Sequence, residues 1–437
     1  MAHLGITDML EKLFGLKAAS SNIRTEILAG ISTFLTMSFI IAVNPMFLAD
    51  AGIPFEAGFV ATIIATTVGT AIMAFWAKWP VAVAPGMGLN AYFAYGLVLG
   101  QQFSWQQALT AVFVASLLFF LFSLSKARSW LIGAIPSSMQ VGITAGIGLF
   151  LAMIGLQSMG LVAADPDTIV RLGAVNAPEL LLALAGLVLM AGLQARGITG
   201  SILISIMALS VIAWVSGLAE FGGIISTSMP TASAAFQLDF SVLTTFGFLS
   251  VVFVLFFLDF FDTTGTLTAI ADLSGKRKKD GSIDNLDRAV LADTGASIVG
   301  SLVGTSSMTT YMESATGIKA GGKTGLTASV VAILFIFCLF LQPLFASIPG
   351  FATAPALVFV AAAFLQPLRK IDWDDAVVGI PVLLTTLIMP LTFSIAAGIA
   401  IGFLSYIAIH IIAGRMQNLN AGIVIIGVFG ALWLVAA

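Results

Sequence analysis

VAVAPGMGLN, residues 81–90, lies within an apolar run and cannot continue as an unbroken helix. Pro85 has no backbone N–H to give, and Gly86 and Gly88 are poor helix formers. The reading is a short extended piece up to Ala84, followed by a half-helix that starts near Gly86. A second stretch, GTSSMTTYME at 304–313, is interrupted in the same way. Four of the five residues Thr305–Thr309 are Ser or Thr, which favour extended or capping backbone, so helix is expected from around Thr309. Matching interruptions in two halves are the sign of an inverted-repeat membrane carrier whose binding site lies at the breaks. Kinked but continuous helices are the alternative.

The composition around these breaks agrees with a membrane protein. The 437 residues are 59% hydrophobic and 9% charged, whereas a soluble domain carries roughly 25% charged residues. Apolar runs recur from Thr25 to Ile412, and they divide into fourteen spans with the two breaks in the third and tenth. A further apolar stretch, Ile423–Val435, either crosses or lies in the interface. With residues 1–24 placed in the cytoplasm as a short amphipathic segment without a signal peptide, 17 of the 18 Lys and Arg residues fall inside, and only Arg171 falls outside. The single Cys338 makes no internal disulfide.

Three acids stand deep in this hydrocarbon. Asp259 and Asp262 occupy the middle of the eighth span, VVFVLFFLDFFDTTGTLTAIAD, and at i and i+3 share a helix face. Glu313 falls early in the tenth span's half-helix, where the dipole is positive. Such carboxylates are costly in hydrocarbon and usually face a functional cavity; a protonated Asp bonded to a neighbouring helix, or a Glu serving only the dipole, is the plainer reading. Asn90 opens the third span's half-helix with both a donor and an acceptor, which suits a heterocycle edge as well as unpaired backbone. Asp293 reads as lying near the cytoplasmic interface, structural or gating, and His410 as interfacial. No Lys, Arg or His lies mid-span. The centre therefore suits a neutral or cationic ligand rich in N–H groups, protons, or both.

GIKAGGKT, residues 317–324, matches the phosphate-binding G-x-x-x-x-G-K-[ST] pattern. That loop needs a buried strand and a helix of an α/β domain, and here it links two spans. An enzyme would need a nucleophile–base pair or a metal cluster, which two histidines and one cysteine do not supply. No cofactor and no nucleic-acid partner are expected.

The residues quoted, together with RTEILAGISTFLTM (24–37), APGMGLNAYFAY (84–95), DFFDTTGTL (259–267), GTSSMTTYMESATGIKAGGKTGLTA (304–328) and PGFATAPALVFV (349–360), resemble the purine permeases of the nucleobase–ascorbate transporter superfamily, the hypoxanthine/guanine/adenine branch. The resemblance implies an all-α polytopic protein of the inner (plasma) membrane. It would have fourteen spans as two inverted seven-span repeats and short paired strands in spans three and ten. A core domain (25–124 and 243–346) would move against a gate domain (130–218 and 352–413), followed by the hydrophobic segment 414–437. It further implies proton-coupled symport of hypoxanthine and guanine, with adenine also taken by some relatives, and homodimers. Carriers of xanthine/urate, uracil or a small anion on the same scaffold are the rivals. The family's binding carboxylates fall on Asp262 and Glu313, its third-span asparagine on Asn90, and its backbone contacts near Ala84, Gly86, Thr310 and Met312. Phe93 or Phe260 would supply aromatic contact, and the proton would reside on Asp259 or Asp262, or on Glu313.

Overall fold

A computed structural model describes residues 6–125, 135–226, 231–278 and 281–436. Lys126, Arg128 and Lys279, and the expected domain start at residue 130, lie outside them. In chain order the elements are α1 (Ile6–Phe14), α2 (Ile23–Met37), α3 (Ile40–Asp50), α4 (Phe55–Ile72), β1 (Val83–Pro85), α5 (Met87–Ala91), α6 (Trp105–Ser123), α7 (Ser137–Ser158), β2 (Val162–Asp165), β3 (Ile169–Leu172), α8 (Pro178–Ala195) and α9 (Ser201–Val215). They continue with α10 (Phe246–Leu273), α11 (Leu286–Val303), β4 (Met308–Thr310), α12 (Ser314–Lys319), α13 (Gly325–Cys338), α14 (Gln342–Ala346), α15 (Gly350–Leu365), α16 (Ala376–Thr392), α17 (Ile395–Ile412) and α18 (Ala421–Ala436). Among the described residues nine helices are long and apolar enough to cross a bilayer, and α9, α16 and Ala421–Val435 are shorter apolar ones.

The two breaks meet. β1 and β4 pair antiparallel, Val83 opposite Thr310 and Pro85 opposite Met308. Gly86 N donates to Ser307 O and Tyr311 N to Ala82 O, both at 3.0 Å, extending the ribbon at each end. Hydrocarbon offers no partner to the outer edges of a two-stranded ribbon, so side chains must satisfy them. Thr70 of α4 does this for β1: its hydroxyl accepts from Val83 N at 3.0 Å and donates to Val83 O at 3.0 Å. Ser297 of α11 does the same for β4, accepting from Met308 N at 3.0 Å and donating to Met308 O at 2.8 Å. Each strand is thus clamped by one hydroxyl from the helix that precedes it.

This pairing corrects the expected start of the second half-helix. Residues 308–310 spend their backbone groups on β1, so helix begins at Ser314 rather than Thr309 and runs only to Lys319. Gly304 makes the approach possible: it ends α11 at φ 102, a left-handed conformation that costs glycine little. On the other side the expectation stands, with β1 up to Pro85 and helix from Met87. Beyond Ala91 that half-helix winds wider, as a π segment Tyr92–Gly100. The first span is divided between Met37 and Ile40, with Pro45 inside its second part.

Packing sorts the helices into two groups. In the first, α11 packs on α4 and α6, α13 on α2 and α4, and α10 on α6. In the second, α7 packs on α15 and α16, α16 on α17, and α8 on α9 and α15. Fewer contacts join them, chiefly α5 on α7, α18 on α10 and α9 on α2. At Gly88 a Cβ would sit 2.5 Å from Ile147 Cγ2 of α7, so glycine lets the groups touch beside the ribbon.

Two features were not legible from the apolar pattern. Residues 162–172 form a β-hairpin whose Asp165 and Arg171 stand 3.9 Å apart. α18 lies antiparallel along α17, with Gly427 against Ile407 and Gly430 against Ala400, and its Phe429 stacks on Phe253 of α10 at 4.4 Å. That helix is therefore packed along the bundle instead of lying apart from it.

At the start of α16, Arg415 donates to Asp375 at 2.5 Å. This bond and the Val377 amide hold the Asp375 carboxyl below its ordinary range. A depressed folded-state value stabilises above the ordinary carboxylate range, and that stabilisation is lost as pH falls through the depressed value. Asp375→Asn should therefore lower the melting temperature slightly at neutral pH and flatten its decline on acidification. A pH series of thermal melts in detergent checks this; identical curves for the two proteins would refute it.

Candidate functional site

The ribbon brings three helices' acids together. Thr309 of β4 donates its hydroxyl to Asp262 Oδ2 of α10 at 2.7 Å. Glu313 is the N-cap residue of α12, three residues beyond β4. Asp262 and Glu313 both remain partly exposed. Met312, next to Glu313 in the chain, is 44% exposed. An open patch bearing two carboxylates thus lies at one end of the strand pair. The first amides of α12 are already paired, Ser314 N with Tyr311 O at 3.1 Å, Ala315 N with Met312 O at 2.9 Å and Thr316 N with Glu313 O at 3.0 Å, so the two carboxylates supply the acceptors of the patch.

Behind this patch the structure overturns one expectation. Asp293 is not near an interface but fully buried against β4. Thr310 donates to its Oδ1 at 2.6 Å and Thr263 of α10 to its Oδ2 at 2.5 Å. One carboxylate therefore ties β4, α10 and α11 together. Asp259 is 2% exposed and has no hydrogen-bond partner at Oδ1. The two aspartates of the eighth span, expected on one helix face, differ in burial: Asp262 is partly exposed and Asp259 is buried.

The other expected residues are distributed unevenly. Ala84 and Gly86 are buried in and beside β1, and Thr310 turns its side chain to Asp293. Tyr311, which the sequence did not single out, donates its phenol to Pro85 O at 2.6 Å and locks the crossing. Asn90 is fully buried. Its Oδ1 accepts from Ser306, while its Nδ2 has no partner. Phe93 and Phe260 are fully enclosed in this conformation. Phe260 sits in a cluster with Phe119, Phe122, Phe256 and Phe261, so neither ring presents a face to the patch. Phe261 and Ile147 are partly exposed, Ile147 against Gly88. His410 is buried with its ring against Tyr406.

The phosphate-loop look-alike is already filled. Glu26 of α2, fully buried, accepts from Lys323 N at 3.1 Å, Thr324 N at 3.3 Å and the Thr327 hydroxyl at 2.5 Å. An internal carboxylate thus occupies the helix N-terminus where an anion would bind. Among the described residues no group of His, Cys, Asp or Glu has a metal-binding arrangement.

Three comparisons bear on this site. The model of the Permease family, Xan_ur_permease, matches residues 24–432. The chain is 39% identical to the guanine/hypoxanthine permease PbuO of Bacillus subtilis (strain 168), over 95% of this chain and 98% of that one. It is 37% identical to the adenine permease AdeP of Escherichia coli (strain K12), over 98% and 96%. Its fold is similar to the transmembrane domain of a cyanobacterium bicarbonate transporter, BicA, with a TM-score of 0.65 at 19% identity, covering 85% of this chain and 96% of that one.

Proposed function

The chain belongs to the Permease family, and on that premise we propose that it carries purine nucleobases into the cytoplasm with a proton, by alternating access. Its relatives include an adenine permease and a guanine/hypoxanthine permease at nearly equal identity. Among purines we assign hypoxanthine and guanine, because the chain keeps both Asp259 and the GLNA stretch at 88–91. The observation that carries the reading is the partly open pair Asp262 and Glu313 at the end of the β1–β4 ribbon.

In this reading Glu313 and Asp262 accept hydrogen bonds from ring N–H groups and from guanine's exocyclic amine. Asn90 Nδ2, a donor without a partner, meets the six-position oxygen or N7 once the groups part. Each charge-assisted bond contributes roughly 1.5–3 kcal/mol; micromolar binding needs about 8 kcal/mol, so three such bonds with some apolar contact suffice. We assign the coupled proton to Asp259. Its Oδ1 is enclosed without a hydrogen bond, and a bare carboxylate is costly there. Protonation removes that charge, and the Asp293–Thr310 bond passes the change to β4. The two packing groups then act as core and gate. The duplicated hydroxyl clamps, Thr70 and Ser297, support two inverted repeats of seven spans, with the Lys- and Arg-rich ends cytoplasmic.

The test is uptake of labelled hypoxanthine, guanine, adenine and uracil by cells lacking their own permeases, at several pH values. Saturable uptake of the first two, rising as external pH falls and abolished by a protonophore, is the expected result. Uptake of uracil alone, or of none of the four with bicarbonate carried instead, would overturn the assignment.

A further inference from the structure

A second crevice lies away from the acid patch, where α3 ends and α15 begins. It is lined from the first group by Phe47, Asp50 and Tyr95, and from the second by Ser158, Phe351 and Thr353, and encloses about 560 Å³ including its mouth. Asp50 is the last residue of α3, where the helix dipole opposes a carboxylate. Its Oδ2 accepts from the Tyr95 hydroxyl at 2.6 Å. The Asp50 side chain is otherwise exposed in the crevice mouth, which leaves Oδ1 as an outward acceptor. Phe47 meets Tyr95 edge to face at 5.8 Å, which fixes both rings as one wall. Phe351 stands in the lining contributed by α15. At the floor, Thr353 donates to Met46 Sδ at 3.2 Å, so the two groups touch there.

An acceptor carboxylate beside aromatic rings from both groups is what a flat, neutral heterocycle with N–H donors requires. We propose that this crevice is a second purine site, at the end of the molecule opposite the Lys276–Lys278 loop, where the heterocycle pairs with Asp50 before reaching Glu313. The inference rests on the purine reading above and adds a site to it.

The test uses purified full-length protein carrying Ser158→Cys and Glu313→Gln, the second change removing the central site. The native Cys338 is buried, so a maleimide reports on position 158. Hypoxanthine should slow alkylation at Cys-substituted 158. Adding Asp50→Asn should raise the half-protecting concentration roughly tenfold or more, the worth of one charge-assisted hydrogen bond. Phe351→Ala, which leaves the acid in place, should also raise it. Absence of protection, or protection indifferent to Asp50→Asn and Phe351→Ala, would overturn the second site. Should the chain with Glu313 intact bind no purine at all, it is the functional reading that fails. Binding at Glu313 without protection at 158 removes only this inference.

Discussion

Glu313→Gln is expected to abolish purine uptake while leaving a folded, membrane-inserted protein. The change keeps the shape of the side chain at the N-cap of α12. It replaces one acceptor oxygen with a donor and removes the charge. A ring N–H then faces an N–H, and a charged hydrogen bond of roughly 1.5–3 kcal/mol is lost together with the cost of the unpaired group. Affinity should fall by about 100-fold, and transport at micromolar substrate should drop below detection. The checks are equilibrium binding of labelled hypoxanthine and uptake in permease-deficient cells, with thermal melting to show an intact fold. Normal uptake by this variant and by Asp262→Asn would remove the proposed pocket.

The largest loss of stability should come from Glu26→Ala. Glu26 is fully buried and holds two backbone amides and one hydroxyl at the start of α13. Truncation strands two buried donors, Thr324 N and the Thr327 hydroxyl, each worth about 1–3 kcal/mol, and a part-buried one, Lys323 N. A destabilisation on the order of 4 kcal/mol follows, visible as a melting temperature many degrees lower and as poor recovery from membranes. Glu26→Gln keeps one acceptor oxygen and should recover much of this. A melt of Glu26→Ala within about 2 °C of the parent would show that another group satisfies those amides.

Much of the architecture was legible because hydrocarbon leaves few choices. Pro85 with Gly86 and Gly88, and the hydroxyl-rich 305–309, were sufficient to locate both strands. The start of α12 was misplaced because Ser and Thr mark a break without saying how long the extended piece must be; that length was set by Val83–Pro85 across the crossing. Asp293 was misplaced because its distance from Asp287 was measured along the chain. A carboxylate in an apolar span was signal enough to seek a buried partner, and Thr310 is that partner. Phe260 and Phe93 were guessed from nearness in sequence to Asp262 and Asn90. Helical geometry turns Phe260, two positions from Asp262, onto another face, while Phe93, one turn from Asn90, is enclosed with it. The role of Glu26 was invisible because its partners lie about 300 positions later in the chain.

The helix α18 ends the chain in contact with both packing groups. Gly427 and Gly430 seat it against α17, so in the proposed motion it would travel with the second group, and the ring pair Phe253–Phe429 would be the seam that slips. In water, parting two phenyl rings would be resisted; in a bilayer, acyl chains replace each ring at almost no penalty. A seam made only of hydrocarbon against hydrocarbon therefore behaves as a greased bearing. It keeps the halves aligned laterally while adding little friction along the stroke.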